Sequence, residues 1–156
     1  MLNLVYETLY SSDNLSSISM NNNLLSLLDS IQQSYSNTIG KVKITIDTGN
    51  IVLDISQATP LGLIINELVS NSFKYAFDNK KEGQINLQLT ESGQDIVMIY
   101  SDDSTGMPKD FDWYSTKSLG LNLVKLLSEN QLNGSIELVD DKGVRFVVRF
   151  SPKESK

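Results

Sequence analysis

The sequence contains no cysteine and no histidine, and each absence excludes a class of chemistry. Without cysteine the chain forms no disulfide and offers no thiolate to a metal ion. Without histidine it lacks the commonest general base and the usual zinc ligand. The chain therefore cannot carry a phosphohistidine of its own.

Positive charge and long apolar runs are also scarce. The formal net charge is -6, and no block of basic residues occurs, which argues against a nucleic-acid partner because phosphate backbones are held mainly by clustered Lys and Arg. No apolar run reaches the roughly 20 residues needed to cross a bilayer, and the N-terminus lacks the features of a signal peptide. We expect a cytoplasmic chain that makes no membrane contact.

What is present is enough for one domain with a sizeable core. The chain has 156 residues, of which 40% are hydrophobic. Alternating apolar residues predict three hairpins, in residues 41–55, 84–101 and 134–150. The first of these hairpins is predicted to turn at a Thr-Gly-Asn sequence.

Helical spacing predicts the remaining elements. One helix contains Leu24, Leu25, Leu28, Ile31 and Gln32. A second is opened by Pro60 and runs to about Phe77, and a third spans Leu119 to Glu129. Helices and strands that do not alternate strictly indicate an α+β two-layer sandwich, with helices on one face of a mixed, mostly antiparallel sheet.

The second helix carries an unusual polar stripe. In "INELVSNSFKYAF", Glu67, Asn71 and Lys74 recur at intervals of four and three, so they share one face. An ordinary solvent-exposed face is the alternative interpretation. Asn66 and Asn71, however, are poor helix formers inside a helix, which indicates that something other than local propensity selected them.

Two further stretches carry candidate binding residues. In "YSDDSTGMP", Asp102 follows an apolar strand and precedes a turn in which the backbone can approach a planar ligand. In "STKSLGLNLV", small residues ending in Gly120 start a helix, where unpaired N–H groups and the helix dipole favour phosphate. Each pattern alone is weak, because Asp and Gly are common in turns, and neither is a P-loop.

Together and in this order, the three stretches resemble the N, G1 and G2 boxes of the ATPase superfamily that unites gyrase B, the heat-shock chaperone ATPases, the mismatch-repair ATPases and the sensor histidine kinases. Within this superfamily the chain is most similar to the histidine kinases whose dimerisation segment is of the second HisKA class. The segments that carry this resemblance are "LGLIINELVSNSFKYAF", "DFDW", "SLGLNLVKLL" and "QLNGSIEL". The resemblance implies a Bergerat-type fold. It also implies the end of a dimerisation helix with its linker in residues 1–37, an ATP-binding domain in 38–152 and a disordered tail in 153–156.

The resemblance also implies roles for individual residues. Asn71 matches the Mg²⁺ ligand, Glu67 the acid that polarises the attacking group, and Lys74 the cation near the phosphates. Asp102 matches the acceptor of the adenine amino group. The other implied ATP-binding residues are Gly106 and Met107 beside the adenine ring, and Ser118, Leu119, Gly120 and Leu121 at the phosphates. Residues 108–118, which include Trp113, would form a short lid that becomes ordered when triphosphate binds.

Three departures from the family pattern bear on these roles. Ser104 replaces the first glycine of the G1 box, and Val144 replaces a threonine whose hydroxyl joins the water network at adenine. We therefore expect weakened ATP binding rather than its loss. The third departure is that the chain has no phosphoacceptor histidine. The resemblance therefore implies as partners the dimerisation and phosphoacceptor domain of the full-length kinase and the receiver domain of a response regulator.

Two alternatives stay open at this point. The chain could be a degenerate module of the same fold that docks a partner without turning over ATP, which Ser104 and Val144 favour. The second alternative is a stand-alone ATPase of the chaperone or topoisomerase type. The short lid and the lack of a following transducer sequence argue against it.

Overall fold

The computed structural model describes residues 18–34, 41–73, 82–103, 119–140 and 143–152. The helices are α1 (Met20–Ser34), α2 (Ile55–Asn71) and α3 (Leu119–Leu126), and α3 continues as a π-helical segment, Leu127–Gln131. The strands are β1 (Ile18–Ser19), β2 (Lys41–Asp47), β3 (Val52–Leu53), β4 (Glu82–Ser92), β5 (Asp95–Asp102), β6 (Ser135–Asp140) and β7 (Val144–Phe150).

Five strands form the main sheet, in the order β2-β4-β5-β7-β6. The β2–β4 pair is parallel, and the other three pairs are antiparallel. The predicted mixed, mostly antiparallel sheet is therefore confirmed, as are the hairpins β4–β5 and β6–β7.

One face of this sheet is covered by the helices. Along β4, Gly83, Ile85, Leu87 and Leu89 are buried, while the residues between them are exposed. Since successive side chains of a strand point to opposite faces, this alternation means that only one face of β4 is packed. The two-layer α+β arrangement predicted from the sequence is confirmed.

Helix α1 contributes an apolar stripe to the same core. Its buried residues are Met20, Leu24, Leu27, Leu28 and Ile31. These positions recur every three or four residues, which places them on one side of a helix. Leu25, which the sequence analysis included in this stripe, is instead half exposed.

The first predicted hairpin is wrong. Strand β2 does not pair with β3; it pairs in parallel with β4, and β3 pairs with β1 in a separate two-stranded sheet. The chain does turn after β2, where the Ile51 N–H donates to the Thr48 carbonyl at 3.2 Å. Beyond that turn, only two residues remain in strand conformation before Asp54 caps a helix, so β3 is too short to extend along β2.

The start of α2 also differs from the prediction. The helix begins at Ile55, five residues before Pro60, because the Asp54 carboxylate accepts the Ser56 N–H at 2.9 Å and caps the first turn. Pro60 therefore lies inside α2 rather than at its start. Pro60 itself is buried.

Several expectations fall on residues outside those the structure describes. They are the N-terminal dimerisation segment up to residue 17, the end of α2 near Phe77 and the tail in residues 153–156. The division of the chain at residues 37 and 38 stays a prediction. Within the described part of the chain, no helix is both long and apolar enough to span a bilayer.

Candidate functional site

The last turn of α2 presents the two described members of the predicted polar stripe. Glu67 and Asn71 are both partly exposed, in a helix whose other residues are mostly buried. Their spacing of four residues places them one turn apart on the same face. Lys74, the third member of the stripe, lies outside the described residues.

Gly120, at the start of α3, lies against this face. A Cβ atom added to Gly120 would be 2.8 Å from Glu67 Oε2 and 4.0 Å from Asn71 Nδ2. The first distance is too short for a Cβ atom, so a side chain at this position would displace the Glu67 carboxylate. The predicted N-box and G2 residues thus meet in the folded chain.

Asp102 ends β5, and its side chain points into the protein. It is only 7% exposed, whereas the neighbouring Asp103 is exposed. Asp103 bonds back to β4, because its N–H donates to the Gln84 carbonyl at 3.2 Å and its carboxylate accepts the Gln84 N–H at 3.0 Å. The pleat and these bonds select Asp102, of the two adjacent acids, as the inward-facing one.

Both carboxylate oxygens of Asp102 have protein donors. Ser72 Oγ donates to Oδ2 at 2.7 Å, and the Val144 N–H donates to Oδ1 over a longer 3.4 Å. Val144 therefore still contacts Asp102 through its backbone, although its side chain supplies no hydroxyl. A buried carboxylate held in this way has a defined orientation and keeps acceptor capacity for a ligand.

Tyr100 completes a buried group of hydroxyls beside Asp102. Its Oη lies 2.5 Å from Ser72 Oγ and 3.2 Å from the Leu68 carbonyl oxygen. Burial raises the pKa of the Tyr100 phenol well above its usual value. The Ser72 hydrogen bond opposes this rise, and the nearby Asp102 charge adds a smaller increase. Tyr100 is therefore a neutral hydroxyl at physiological pH.

Ser72 and Tyr100 were not among the predicted site residues. In the sequence Ser72 lies among the apolar residues of "INELVSNSFKYAF", and Tyr100 is the first residue of "YSDDSTGMP". A buried hydroxyl group needs a hydrogen-bond partner. A serine among core-facing positions was therefore the signal in the sequence that could have indicated a polar contact there.

The end of α2 thus joins the three predicted stretches. Glu67 and Asn71 face Gly120 of the third stretch, and the next residue, Ser72, binds Asp102 of the second. Leu119 and Leu121 differ in their surroundings, since Leu119 is 86% exposed and Leu121 is buried in the core. Gly106, Met107 and Ser118 lie outside the described residues, as do Ser104 and the predicted lid at 108–118 with Trp113.

Asn66 behaves differently from Asn71. Its side chain is fully buried within α2, and neither its amide nitrogen nor its amide oxygen has a hydrogen-bond partner among the residues that the structure describes. The two asparagines that the sequence analysis considered together are therefore in unlike environments, and only Asn71 lies at the candidate site.

The described residues include no group of three or more acidic side chains that could enclose a metal ion. A site built on one amide instead suits Mg²⁺, which keeps several waters and takes further ligands from substrate phosphates. The partly exposed Asn71 amide beside Gly120 fits such an arrangement.

Comparison with known proteins places this chain in a family. Residues 56–155 match the family model described as "Histidine kinase-, DNA gyrase B-, and HSP90-like ATPase". The sensor histidine kinase PdtaS of Mycobacterium tuberculosis is 35% identical over 101 residues, which are 63% of this chain and 20% of that protein. Blue-light-activated histidine kinase 2 of Erythrobacter litoralis is 27% identical over 89 residues, or 56% of this chain and 26% of its own length. The matched segment thus covers only about a fifth to a quarter of these curated relatives.

Solved structures share the fold. The histidine kinase domain of a blue-light-activated histidine kinase from Erythrobacter litoralis superposes with a TM-score of 0.80 at 19% identity, covering 96% of this chain and 70% of that one. The catalytic domain of histidine kinase ThkA superposes with a TM-score of 0.70 at 14% identity, covering 90% and 99% respectively. With the family model matching most of the chain and the three stretches meeting at the end of α2, the protein belongs to the histidine kinase-, DNA gyrase B- and HSP90-like ATPase family.

Proposed function

We propose that this chain is the ATP-binding catalytic domain of a sensor histidine kinase of the second HisKA class. It binds ATP with Mg²⁺ and transfers the γ-phosphoryl group to a histidine on a separate dimerisation and phosphoacceptor domain. A receiver domain is the proposed next partner, and the proposed location is the cytoplasm. The sensor histidine kinases among its relatives support this choice over the other members of the family.

The observation that carries the proposal is the contact of Gly120 with Glu67. Because no side chain separates α3 from α2 there, the N–H groups at the start of α3 lie next to the polar face of α2. Helix N-termini favour phosphate, and an amide oxygen and a carboxylate beside them suit the metal and the reacting group. This arrangement supports the proposal, because phosphoryl transfer requires charge stabilisation and positioning at one place.

Each described residue has a proposed role. Asn71 supplies one ligand to Mg²⁺, which, when bound, neutralises charge on the phosphates. Glu67 accepts or orients the proton of the attacking histidine nitrogen. Asp102 accepts a hydrogen bond from the 6-amino group of adenine, at the buried end of the site.

The degenerate docking module remains the second candidate. It shares the fold, but it has no need of a partly exposed Asn71 or of glycine at position 120. Both features, which serve nucleotide binding, favour the kinase domain.

A titration with ATP, with and without Mg²⁺, tests the proposal. We expect the wild-type chain to bind ATP more tightly with Mg²⁺, and Asn71→Ala to lose that gain while it melts at nearly the same temperature, since alanine is the better helix former. The matched control is Asn130→Ala, which removes an exposed amide outside the polar stripe of α2. ATP binding that ignores Mg²⁺ in the wild type, or unfolding of Asn71→Ala, would contradict the proposal.

A further inference from the structure

Two hydroxyl groups form a series of hydrogen bonds that ends at the Asp102 carboxylate: Tyr100 contacts Ser72, and Ser72 contacts Asp102. Ser72 Oγ lies 2.7 Å from Asp102 Oδ2, and Tyr100 Oη lies 2.5 Å from Ser72 Oγ. All three side chains are buried, so bulk water does not compete for these bonds.

The number of available protons gives this series a direction. Ser72 and Tyr100 each have one O–H, and a carboxylate only accepts. The Ser72 proton therefore goes to Asp102, and the short contact between the two hydroxyls then requires the Tyr100 proton, since two lone pairs would otherwise face each other. The Tyr100 O–H also reaches the Leu68 carbonyl oxygen, which receives the Ser72 backbone N–H as well, but over 3.2 Å rather than the 2.5 Å to Ser72 Oγ. The shorter contact of Tyr100 is therefore the one with Ser72.

We infer that Ser72 and Tyr100 are positioning residues that fix the Asp102 carboxylate for the 6-amino group of adenine and so set the nucleotide selectivity of the site. This inference rests on the proposed function, because it takes Asp102 as the residue that binds adenine. Neither hydroxyl has to contact the nucleotide, as each acts through Asp102.

Ser72 carries most of this effect. The Val144 N–H also donates to the Asp102 carboxylate, at a longer 3.4 Å from Oδ1. The bond from Ser72 is shorter, and a charged acceptor strengthens it. Tyr100 polarises Ser72, and burial keeps Tyr100 protonated by raising its pKa.

The Ser72 hydroxyl also compensates for the valine at position 144. The family resemblance implies a threonine there, whose hydroxyl would serve the adenine end of the site. Ser72 supplies a hydroxyl to Asp102 from helix α2 instead. The selectivity of this chain therefore depends on Ser72.

The test compares ATP with purine riboside triphosphate, which lacks the 6-amino group, by calorimetric titration of the full 156-residue chain. We expect the wild type to prefer ATP. Ser72→Ala should lower ATP affinity about tenfold and leave affinity for the analogue within about twofold of wild type. Tyr100→Phe should act in the same direction with a smaller loss, because it removes only the second hydroxyl.

Two reference variants serve as controls for the preference for ATP over purine riboside triphosphate. Asp102→Ala measures the preference that remains without the carboxylate. Ser128→Ala removes another buried serine hydroxyl, which donates to the Val124 carbonyl at 2.8 Å, and should leave selectivity unchanged.

Each outcome is decisive. If Asp102→Ala abolishes the preference for ATP while Ser72→Ala and Tyr100→Phe keep it, the positioning role is wrong and the proposed function stands. An equal loss of affinity for both nucleotides would also overturn it, since the hydroxyls would then serve only the fold. If Ser72→Ala does not fold, Tyr100→Phe decides alone. A wild type that binds neither nucleotide, or both equally, contradicts the proposed function itself.

Discussion

Gly120 lets the start of α3 lie against Glu67, and this contact makes a specific prediction. In Gly120→Ala the new methyl group would meet Glu67 Oε2 at 2.8 Å. That oxygen is the end of a flexible side chain, so we expect it to move and the fold to persist, with a melting temperature within about 2–4 °C of wild type. ATP affinity should fall about tenfold, because the methyl group and the displaced carboxylate lie where the phosphates are proposed to bind.

Calorimetry and thermal melting of Gly120→Ala check this expectation. Asn130→Ala serves as the control, because it alters an exposed residue in the π-helical segment that follows α3. Unchanged ATP affinity in Gly120→Ala would show that the phosphates bind elsewhere.

Tyr100 gives the domain a specific sensitivity to alkaline pH. Burial raises its pKa in the folded chain above the value of about 10 in the unfolded chain. Above pH 10 the unfolded chain loses the Tyr100 proton while the folded chain keeps it, so stability falls as pH rises through that window. The contribution is complete below pH 10, and one proton changes the free energy of unfolding by about 1.4 kcal/mol per pH unit.

Urea unfolding at pH 8, 10 and 11 measures this slope. Tyr100→Phe should be less stable at pH 8, since it loses a buried hydrogen bond, yet should lose less stability between pH 10 and 11 than wild type does. Parallel curves for the two proteins would mean that Tyr100 titrates normally and is not held as a buried neutral donor.

At the scale of the element, α2 is the helix on which the site is built, and Asp54 defines where it begins. The Asp54 carboxylate accepts the Ser56 N–H, and the Ser56 hydroxyl also contacts it. Asp54→Ala should lower the free energy of unfolding by about 1 kcal/mol, whereas Asp54→Asn, which retains a capping oxygen, should lose little.

Chemical denaturation of both Asp54 variants tests the cap. Neither should change the preference for ATP over purine riboside triphosphate, because the cap lies at the opposite end of α2 from Asn71. Equal destabilisation by alanine and asparagine would assign the effect to the charge of Asp54 rather than to capping.

The elements also differ in how far the sequence predicts them. Strands β4 to β7 form hairpins whose partners are neighbours in the chain, so alternation and turn residues were sufficient. Strand β2 pairs with β4, which follows it in the sequence only after β3 and α2. The alternation of apolar residues in β2 predicts a strand but does not indicate which strand it pairs with. The start of α2 was predicted too late because Pro60 is an accepted first-turn residue, whereas the helix begins after the Asp54 cap.

At the scale of the whole molecule, the fold brings together residues that are far apart in the sequence. Glu67 meets Gly120, and Ser72 meets Asp102, across the ends of α2, α3 and β5. Motif order predicted Glu67, Asn71, Asp102 and Gly120 as site residues, though their roles remain proposals. Ser72 could not be found in this way, because a serine among apolar positions acquires its meaning only from the tertiary partner that it contacts.

The central claim is that the end of α2, Asp102 and Gly120 form one site for an adenine nucleotide. A calorimetric comparison of ATP and GTP, each with saturating Mg²⁺, tests it most directly. We predict saturable ATP binding with a Kd in the micromolar to millimolar range, about -4 to -8 kcal/mol, and GTP binding weaker by at least about tenfold, because the guanine carbonyl would face the Asp102 carboxylate as a second acceptor. Equal affinity for the two nucleotides, or no binding of either, would contradict the account.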